Sequence, residues 1–169
     1  SLKTLLRTPA LVDFDVKRAH IQLKLKKEKE KYVSRGTSKL KIRRSHLLED
    51  SYNQLRARTH EEMKGRMQIV FAGEEGIDAG GLTREWYQIL AREIFNPDWG
   101  LFQLAPSGEA CYEPNKHSSI NPEHLSYFRF VGRLIGKALY DGVLLDAYFT
   151  RPIYKLSLIH ISEPTRRRG

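Results

Sequence analysis

Cysteine is almost absent from this sequence, since only Cys111 occurs among its 169 residues. A single cysteine cannot build a disulfide framework, and such scarcity is typical of proteins that fold in a reducing compartment. No apolar run is long enough to cross a bilayer, and no secretory signal opens the chain. These absences exclude a disulfide-rich secreted domain and a membrane protein, and they predict a cytoplasmic or nuclear location.

Acidic residues are scarce in the first part of the chain, where residues 1–66 have 18 lysines and arginines against 8 acidic residues. The densest basic run, residues 24–31, predicts the exposed face of a helix that starts near Asp13. The expected buried face of that helix comprises Phe14, Val16, Leu23 and Leu25. A basic nucleic-acid-binding domain is the alternative, but aromatic residues do not interleave with the basic ones, and we do not expect nucleic acid as a partner.

The segment from Met67 to Trp99 has the clearest pattern. Apolar residues first alternate at Met67, Ile69 and Phe71, which predicts a strand with one buried face. After Gly73 the spacing becomes helical, and the helix should run from near Gly80 to just before Pro97. Its expected apolar face comprises Leu82, Trp86, Ile89, Leu90 and Ile94. The unit is therefore a strand, a glycine-rich loop and a helix.

The loop of this unit contains three glycines and three acidic residues. Its glycines are Gly76, Gly80 and Gly81, and its acidic residues are Glu74, Glu75 and Asp78. The acidic residues would repel a phosphate, and no lysine followed by serine or threonine comes after the glycines. We expect Asp78 to cap the helix and the acidic residues to pair with Arg84, although paired carboxylates for acid–base chemistry stay an alternative.

Residues 74–86, which read Glu-Glu-Gly-Ile-Asp-Ala-Gly-Gly-Leu-Thr-Arg-Glu-Trp, resemble the signature of the HECT domain, the catalytic module of one class of ubiquitin ligases. Three later stretches agree with it in the same order: residues 95–97 (Phe-Asn-Pro), 121–141, and 147–155 (Ala-Tyr-Phe-Thr-Arg-Pro-Ile-Tyr-Lys). The resemblance extends from about Val12 to Lys155.

This resemblance implies a partial HECT amino-terminal lobe with a mainly helical α+β fold and short strands or hairpins. It also implies a two-step transfer of ubiquitin, first from a conjugating enzyme to a ligase cysteine as a thioester and then to a substrate lysine. The expected partners are a ubiquitin-conjugating enzyme, ubiquitin and a protein substrate, with no cofactor. The signature positions expected to fix the core of this lobe are Asp78, Gly80, Gly81, Arg84, Glu85 and Trp86.

No catalytic residue is assigned within this chain, because the cysteine of the family lies in a separate carboxy-terminal lobe. Cys111 is predicted to be structural, since Glu109 and Glu113 would disfavour a thiolate there. It should lie on the second arm of a β-hairpin formed by residues 101–104 and 110–113. His117 and His124 match no zinc spacing with it, so we expect no metal site.

The segments on either side of the signature also have clear patterns. Leu40 and Ile42 alternate with basic residues as a strand, and a helix should follow a cap at Ser45. The expected apolar face of this helix is Leu47, Leu48, Tyr52 and Leu55. Thr59 and Glu62 form a capping-box pattern for a short helix before the Met67 strand.

The last helix should begin after a cap at Asn121 and end at Gly142 in the left-handed conformation. Gly132 and Gly136 should permit the close approach of another helix. The expected buried stripe is Leu125, Phe128, Val131, Ile135 and Leu139. The basic residues of the same helix, which are expected to face solvent, are Arg129, Arg133 and Lys137.

The expected domain organisation is an upstream linker at residues 1–12, a partial HECT domain at 13–155 and a non-native tail at 156–169. The tail continues no upstream pattern and resembles the translation of a sequencing-library adapter, so we exclude it from fold reasoning. A genuine divergent tail is the alternative. If the chain does end there, a catalytically inactive module that binds ubiquitin or a partner becomes the competing function.

Overall fold

A computed structural model describes residues 12–32, 36–74, 79–106 and 110–153. The chain divides into two compact units, one comprising residues 1–34 and 151–169 and the other residues 35–150. The expected linker is residues 1–12, of which 1–11 lie outside the described residues, and so does the whole expected tail, 156–169. The described part of the first unit consists mainly of helix α1, Phe14–Tyr32.

The second unit is built around two parallel strands, β1 (Ser38–Ile42) and β2 (Met67–Phe71). Leu40 pairs with Ile69, and Ile42 pairs with Phe71. Parallel strands need a crossover connection, which here contains helices α2 (Leu47–Arg56) and α3 (His60–Lys64). The predicted strands and the helical spacing of α2 are confirmed, since their expected apolar residues are buried.

Of the two helix N-caps predicted in the crossover, the one of α3 is confirmed and the one of α2 is wrong. At α3, the Thr59 side chain accepts from the Glu62 N–H at 3.2 Å, and the Glu62 carboxylate accepts from the Thr59 N–H at 2.7 Å. The predicted capping box is therefore confirmed. The predicted cap at Ser45 is wrong, because Ser45 lies within a short 3₁₀ helix, Arg44–His46, that leads directly into α2.

Helix α4 (Ala79–Ile94) packs against β2 and α2, as its apolar spacing predicts. Trp86, Tyr87 and Leu90 are fully buried on this face. A 3₁₀ turn at Pro97–Trp99 then ends on Gly100, whose positive φ of 64° is allowed by the missing side chain. The predicted end of the helix before Pro97 is confirmed.

The predicted hairpin is also confirmed, with β3 (Phe102–Leu104) antiparallel to β4 (Tyr112–Pro114). Part of its turn, residues 107–109, lies outside the described residues. Tyr112 continues the hydrogen bonding to a later segment, because its N–H donates to the Tyr148 carbonyl at 2.6 Å and its carbonyl accepts from the Thr150 N–H at 3.1 Å. A 3₁₀ turn, Ser118–Ile120, precedes the last helix.

Helix α5 runs from His124 to Asp141 and ends on Gly142 in the left-handed conformation, as predicted. Its start is two residues later than a cap at Asn121 requires. The Asn121 side chain accepts from the Glu123 N–H at 2.9 Å, but it closes a turn that comes before the helix. Asn121 is therefore a turn residue, and Glu123 occupies the N-cap position.

The expected buried stripe of α5 is only partly correct. Val131 is buried, but Leu125 and Leu139 are 70% and 59% exposed. The face that enters the core is rotated and comprises Phe130, Val131, Leu134, Lys137 and Ala138. The predicted close helix approach is wrong within the described residues, because a Cβ added at Gly132 or Gly136 would meet nothing within 4 Å.

Lys137 is the main surprise of this helix, because it is 3% exposed instead of facing solvent. Its Nζ donates to the Gly65 carbonyl at 2.8 Å and to the Asp141 carboxylate at 2.7 Å. The second oxygen of Asp141 accepts from the Tyr87 hydroxyl at 3.0 Å. A buried charge is tolerated only when it is paired and hydrogen-bonded, and this network provides both for Lys137.

Helix α1 also departs from its predicted face. Val16 and Leu23 are each 53% exposed, whereas Leu25 is half-buried, and the side chain of Phe14 lies outside the described positions. The basic run does face solvent, as predicted, and Lys31 pairs with Glu28 at 3.2 Å. The observed architecture is α+β and mainly helical, as predicted. Within the described residues no helix is long and apolar enough to span a membrane.

We predict that Lys137→Met destabilises the protein by about 2–4 kcal/mol, because it leaves Asp141 without its cation and Gly65 without a donor. Urea denaturation of Lys137→Met, Asp141→Asn and the double variant measures the effect, and the double loss should be smaller than the sum. Arg129→Met is the matched control on the exposed face of the same helix. A Lys137→Met loss as small as that of this control would contradict the network.

We also predict that ionised Asp50 stabilises the protein near neutral pH and that this contribution is lost in acid. The Arg43 guanidinium and N–H donate to its carboxylate and lower its pKa from 3.8 to about 2. Because the folded-state pKa is the lower one, this contribution is present above about pH 4 and disappears as the pH falls towards about 2. Urea midpoints across that range should therefore fall less steeply for Asp50→Asn than for the unsubstituted protein. Parallel slopes would contradict the assignment.

Candidate functional site

The signature residues lie around the amino-terminal half of α4. Gly80 and Gly81 form its exposed first turn, and Arg84 is exposed one turn later. Trp86 is fully buried on the opposite face. Asp78, together with Glu75 and Gly76, lies outside the described residues, so its role as a cap stays a prediction.

Trp86 is anchored by a buried polar contact. Its indole N–H donates to the Ser51 hydroxyl of α2 at 2.9 Å, and both residues are 0% exposed. A buried indole N–H needs an acceptor, and a serine one helix away supplies it without a charge. The ring also lies 4.7 Å from that of Tyr87, centroid to centroid. This contact fixes α4 against α2.

Arg44 holds the glycine-rich loop and α4 together. Its guanidinium makes two hydrogen bonds to the Glu74 carboxylate, one of them at 3.0 Å, and a third to Glu85 at 2.7 Å. The same group lies 4.0 Å above the ring of Phe71. A planar guanidinium suits this arrangement because it can bind two carboxylates and stack on a ring at once.

The expected pairing of the loop with Arg84 is thus replaced, at Glu74, by pairing with Arg44. No local pattern indicates this pairing, because Arg44 is 30 residues from Glu74 and 41 residues from Glu85. The Arg44 hydrogen bonds lower the pKa of Glu74. A carboxylate held in its ionised form is a poor general acid, so this geometry favours a structural role over acid–base chemistry.

Cys111 is half-buried beside the hairpin that the sequence predicted. Its carbonyl accepts from the Ala105 N–H at 2.8 Å, which fixes the backbone at the start of β4. Glu113 accepts from the Gln103 side chain at 2.9 Å across the hairpin. Glu109, the other acidic neighbour in the sequence argument, lies outside the described residues. The prediction that Cys111 is structural therefore rests on its backbone position.

His117 lies at the turn that precedes α5, and His124 is the first residue of that helix. The His117 N–H donates to the Asn115 side chain at 2.9 Å, and Nδ1 of His124 lies 3.2 Å from the Ser118 hydroxyl. Among the residues that the structure describes, no group of three His, Cys, Asp or Glu side chains could hold a metal ion. These two histidines have local hydrogen-bonding roles around the start of α5.

Comparison with known proteins identifies the family of this chain. The HECT-domain (ubiquitin-transferase) family matches residues 88–164. The chain is 50% identical over 155 residues, 92% of its length, to E3 ubiquitin-protein ligase UPL1 of Arabidopsis thaliana. It is 50% identical over 145 residues (86%) to E3 ubiquitin-protein ligase HUWE1 of Mus musculus, and 45% identical over 152 residues (89%) to E3 ubiquitin-protein ligase TOM1 of Saccharomyces cerevisiae.

The chain spans only a small part of these relatives, namely 4% of the Arabidopsis protein, 3% of the mouse protein and 5% of the yeast protein. The similarity nevertheless includes the signature loop, the helix that carries Trp86 and the hairpin with Cys111. This chain belongs to the HECT-domain family of ubiquitin transferases.

Proposed function

We propose that this chain is part of a HECT-type ubiquitin-protein ligase and that residues 13–155 serve as its scaffold lobe. The observation that carries the proposal is the 50% identity to a protein named as an E3 ubiquitin-protein ligase over 92% of the chain. The described contacts support a scaffold, because the Glu74, Glu85 and Trp86 side chains bind other parts of this lobe.

The proposed reaction proceeds in two acyl transfers. Ubiquitin first moves from the cysteine of a conjugating enzyme to a ligase cysteine, which exchanges one thioester for another at little cost. It then moves to a substrate lysine, and this step is downhill because an amide is more stable than a thioester. Covalent catalysis divides one difficult transfer into two easier ones.

In this scheme the chain holds the docking platform for the conjugating enzyme and the catalytic lobe within reach of each other. We assign the ligase cysteine and most of the docking surface for the conjugating enzyme to sequence beyond Lys155. Asp78, Gly80, Gly81, Arg84, Glu85 and Trp86 have structural roles in the proposal. The proposed setting is the cytoplasm or the nucleus, with a conjugating enzyme, ubiquitin and a protein substrate as partners.

A catalytically inactive module that binds ubiquitin or a partner is the competing proposal. It uses the same fold and differs only in having no ligase cysteine elsewhere in the protein. The nucleic-acid alternative has weaker support, because the similar proteins are named as ubiquitin-protein ligases. The full reading frame separates the first two possibilities, whereas charging of this chain with ubiquitin tests the structural assignment of Cys111.

We predict that the 169-residue chain forms no reducible ubiquitin adduct. The test incubates it with ubiquitin, ATP, an activating enzyme and a panel of conjugating enzymes, followed by non-reducing electrophoresis. A complete HECT ligase in the same mixture is the positive control, and Cys111→Ser is the matched variant. A thiol-sensitive adduct that disappears in Cys111→Ser would show that Cys111 is a nucleophile and would refute its structural assignment.

We further predict that the reading frame of the source transcript continues past the codon for Lys155 into a small lobe with a cysteine near its end. Sequencing without transposon adapters reads this region directly. The boundary at Lys155 is itself under test, since the family match extends to residue 164. If the transcript instead encodes residues 156–169 and stops, the ligase proposal fails and the inactive binding module replaces it.

A further inference from the structure

A groove of about 520 Å³ lies between α3 and α5. Met63 of α3 and Tyr140 of α5 contribute apolar surface to it, and the exposed Gly136 also lines it. A Cβ added at Gly136 would meet nothing within 4 Å, so the missing side chain leaves room there. The groove lies wholly within residues 35–150.

The charge around this α3–α5 groove has one sign. The described residues that line it include no aspartate or glutamate. Their cationic members are Arg58, Lys64, Arg129, Arg133 and Lys137. A concave surface lined by one sign of charge concentrates the field and attracts an oppositely charged ligand.

Neighbouring carboxylates, among them Asp141 and Glu62, reduce this positive charge only in part. Asp141 binds Lys137 at 2.7 Å, and Glu62 lies 3.9 Å from Arg58 while its other oxygen closes the capping box. Arg133 donates to the carbonyls of Arg56 and Arg58, which hold the guanidinium without neutralising it. The groove therefore keeps a net positive charge.

Arg129 is exposed at the rim and makes no ion pair with any residue of the described segments. A planar guanidinium at such a position can bind a carboxylate through two parallel hydrogen bonds. The apolar floor beside it suits a side chain such as leucine, whose burial against Met63 and Tyr140 would add hydrophobic stabilisation. A nucleic-acid backbone has the charge but no aliphatic side chain for this floor.

We propose that the α3–α5 groove docks an acidic segment of a partner protein. One apolar side chain of the segment enters the space over Gly136, and the flanking carboxylates contact Arg129 and the other cations of the rim. The charge complementarity determines the sign of the partner, and the open apolar floor determines that it is a peptide with an anchor. This docking site is independent of the transfer of ubiquitin.

Fluorescence anisotropy tests the proposal with the 169-residue chain. The probe is a short fluorescein-labelled peptide with a central leucine flanked on both sides by glutamates. Its control has serine in place of leucine. We expect saturable binding of the leucine peptide that weakens with added salt, and binding of the serine peptide that is weaker by about tenfold.

Two variants separate charge from shape. Arg129→Glu reverses one exposed charge at the rim, and Gly136→Leu fills the groove without changing charge. Each should weaken binding of the leucine peptide by about tenfold or more. Gly136→Leu should fold normally, because glycine is less favourable than leucine inside a helix and the space there is open. Circular dichroism and urea midpoints verify the fold of each variant.

Matched controls lie outside the groove. Lys116→Glu reverses an exposed charge elsewhere, and Gly132→Leu makes the same substitution one turn earlier on α5, where a Cβ also meets nothing. Both should bind like the unsubstituted chain. The proposal is overturned if the leucine peptide does not bind, if Lys116→Glu weakens binding as much as Arg129→Glu, or if Gly136→Leu has no effect. A single-stranded oligonucleotide that binds more tightly than the peptide and displaces it would overturn it as well.

Discussion

The packing of the second unit depends on one constraint: both faces of a two-stranded parallel sheet must be covered by other elements. Leu40, Ile42 and Ile69 are 0% exposed although only two strands, β1 and β2, hold them in register. Parallel strands are normally buried on both faces by helices, and α2 and α4 contribute that cover here. The helices must therefore be fixed firmly to the sheet and to each other.

Polar contacts between these elements add to the apolar packing. Trp86 binds Ser51 between α4 and α2, and Lys137 connects α5 to the backbone before β2. Arg44 joins the end of β1 to the signature loop and α4. Each contact uses a group that would be costly to leave unsatisfied or a guanidinium with several partners, so an alternative packing would lose it. These contacts connect β1, α2, α4 and α5 within the lobe, as the proposed scaffold role requires.

The sequence predicted those features that local chemistry determines. Alternation identified β2, helical spacing identified α4, and the Thr59–Glu62 capping box was readable within four residues. The orientation of α5 was predicted incorrectly, because the helix has a second apolar stripe that includes Phe130 and Leu134, and that stripe is the buried one. The burial of Lys137 was not readable from local sequence, since its contact with Gly65 spans 72 residues. At the candidate site, the buried role of Trp86 agreed with its spacing, whereas the role of Arg44 required the folded structure.

Arg44 and Arg129 differ in whether their guanidinium groups are already bound within the lobe. Arg44 binds two carboxylates of its own lobe, so its charge and its donors are used within the fold. Arg129 has no such partner among the described residues and lies beside an open apolar floor. Intramolecular pairing reduces the attraction that a guanidinium can offer to another molecule, since new carboxylates would compete with existing ones. Of these two arginines, Arg129 is therefore the better placed to bind a carboxylate of another molecule.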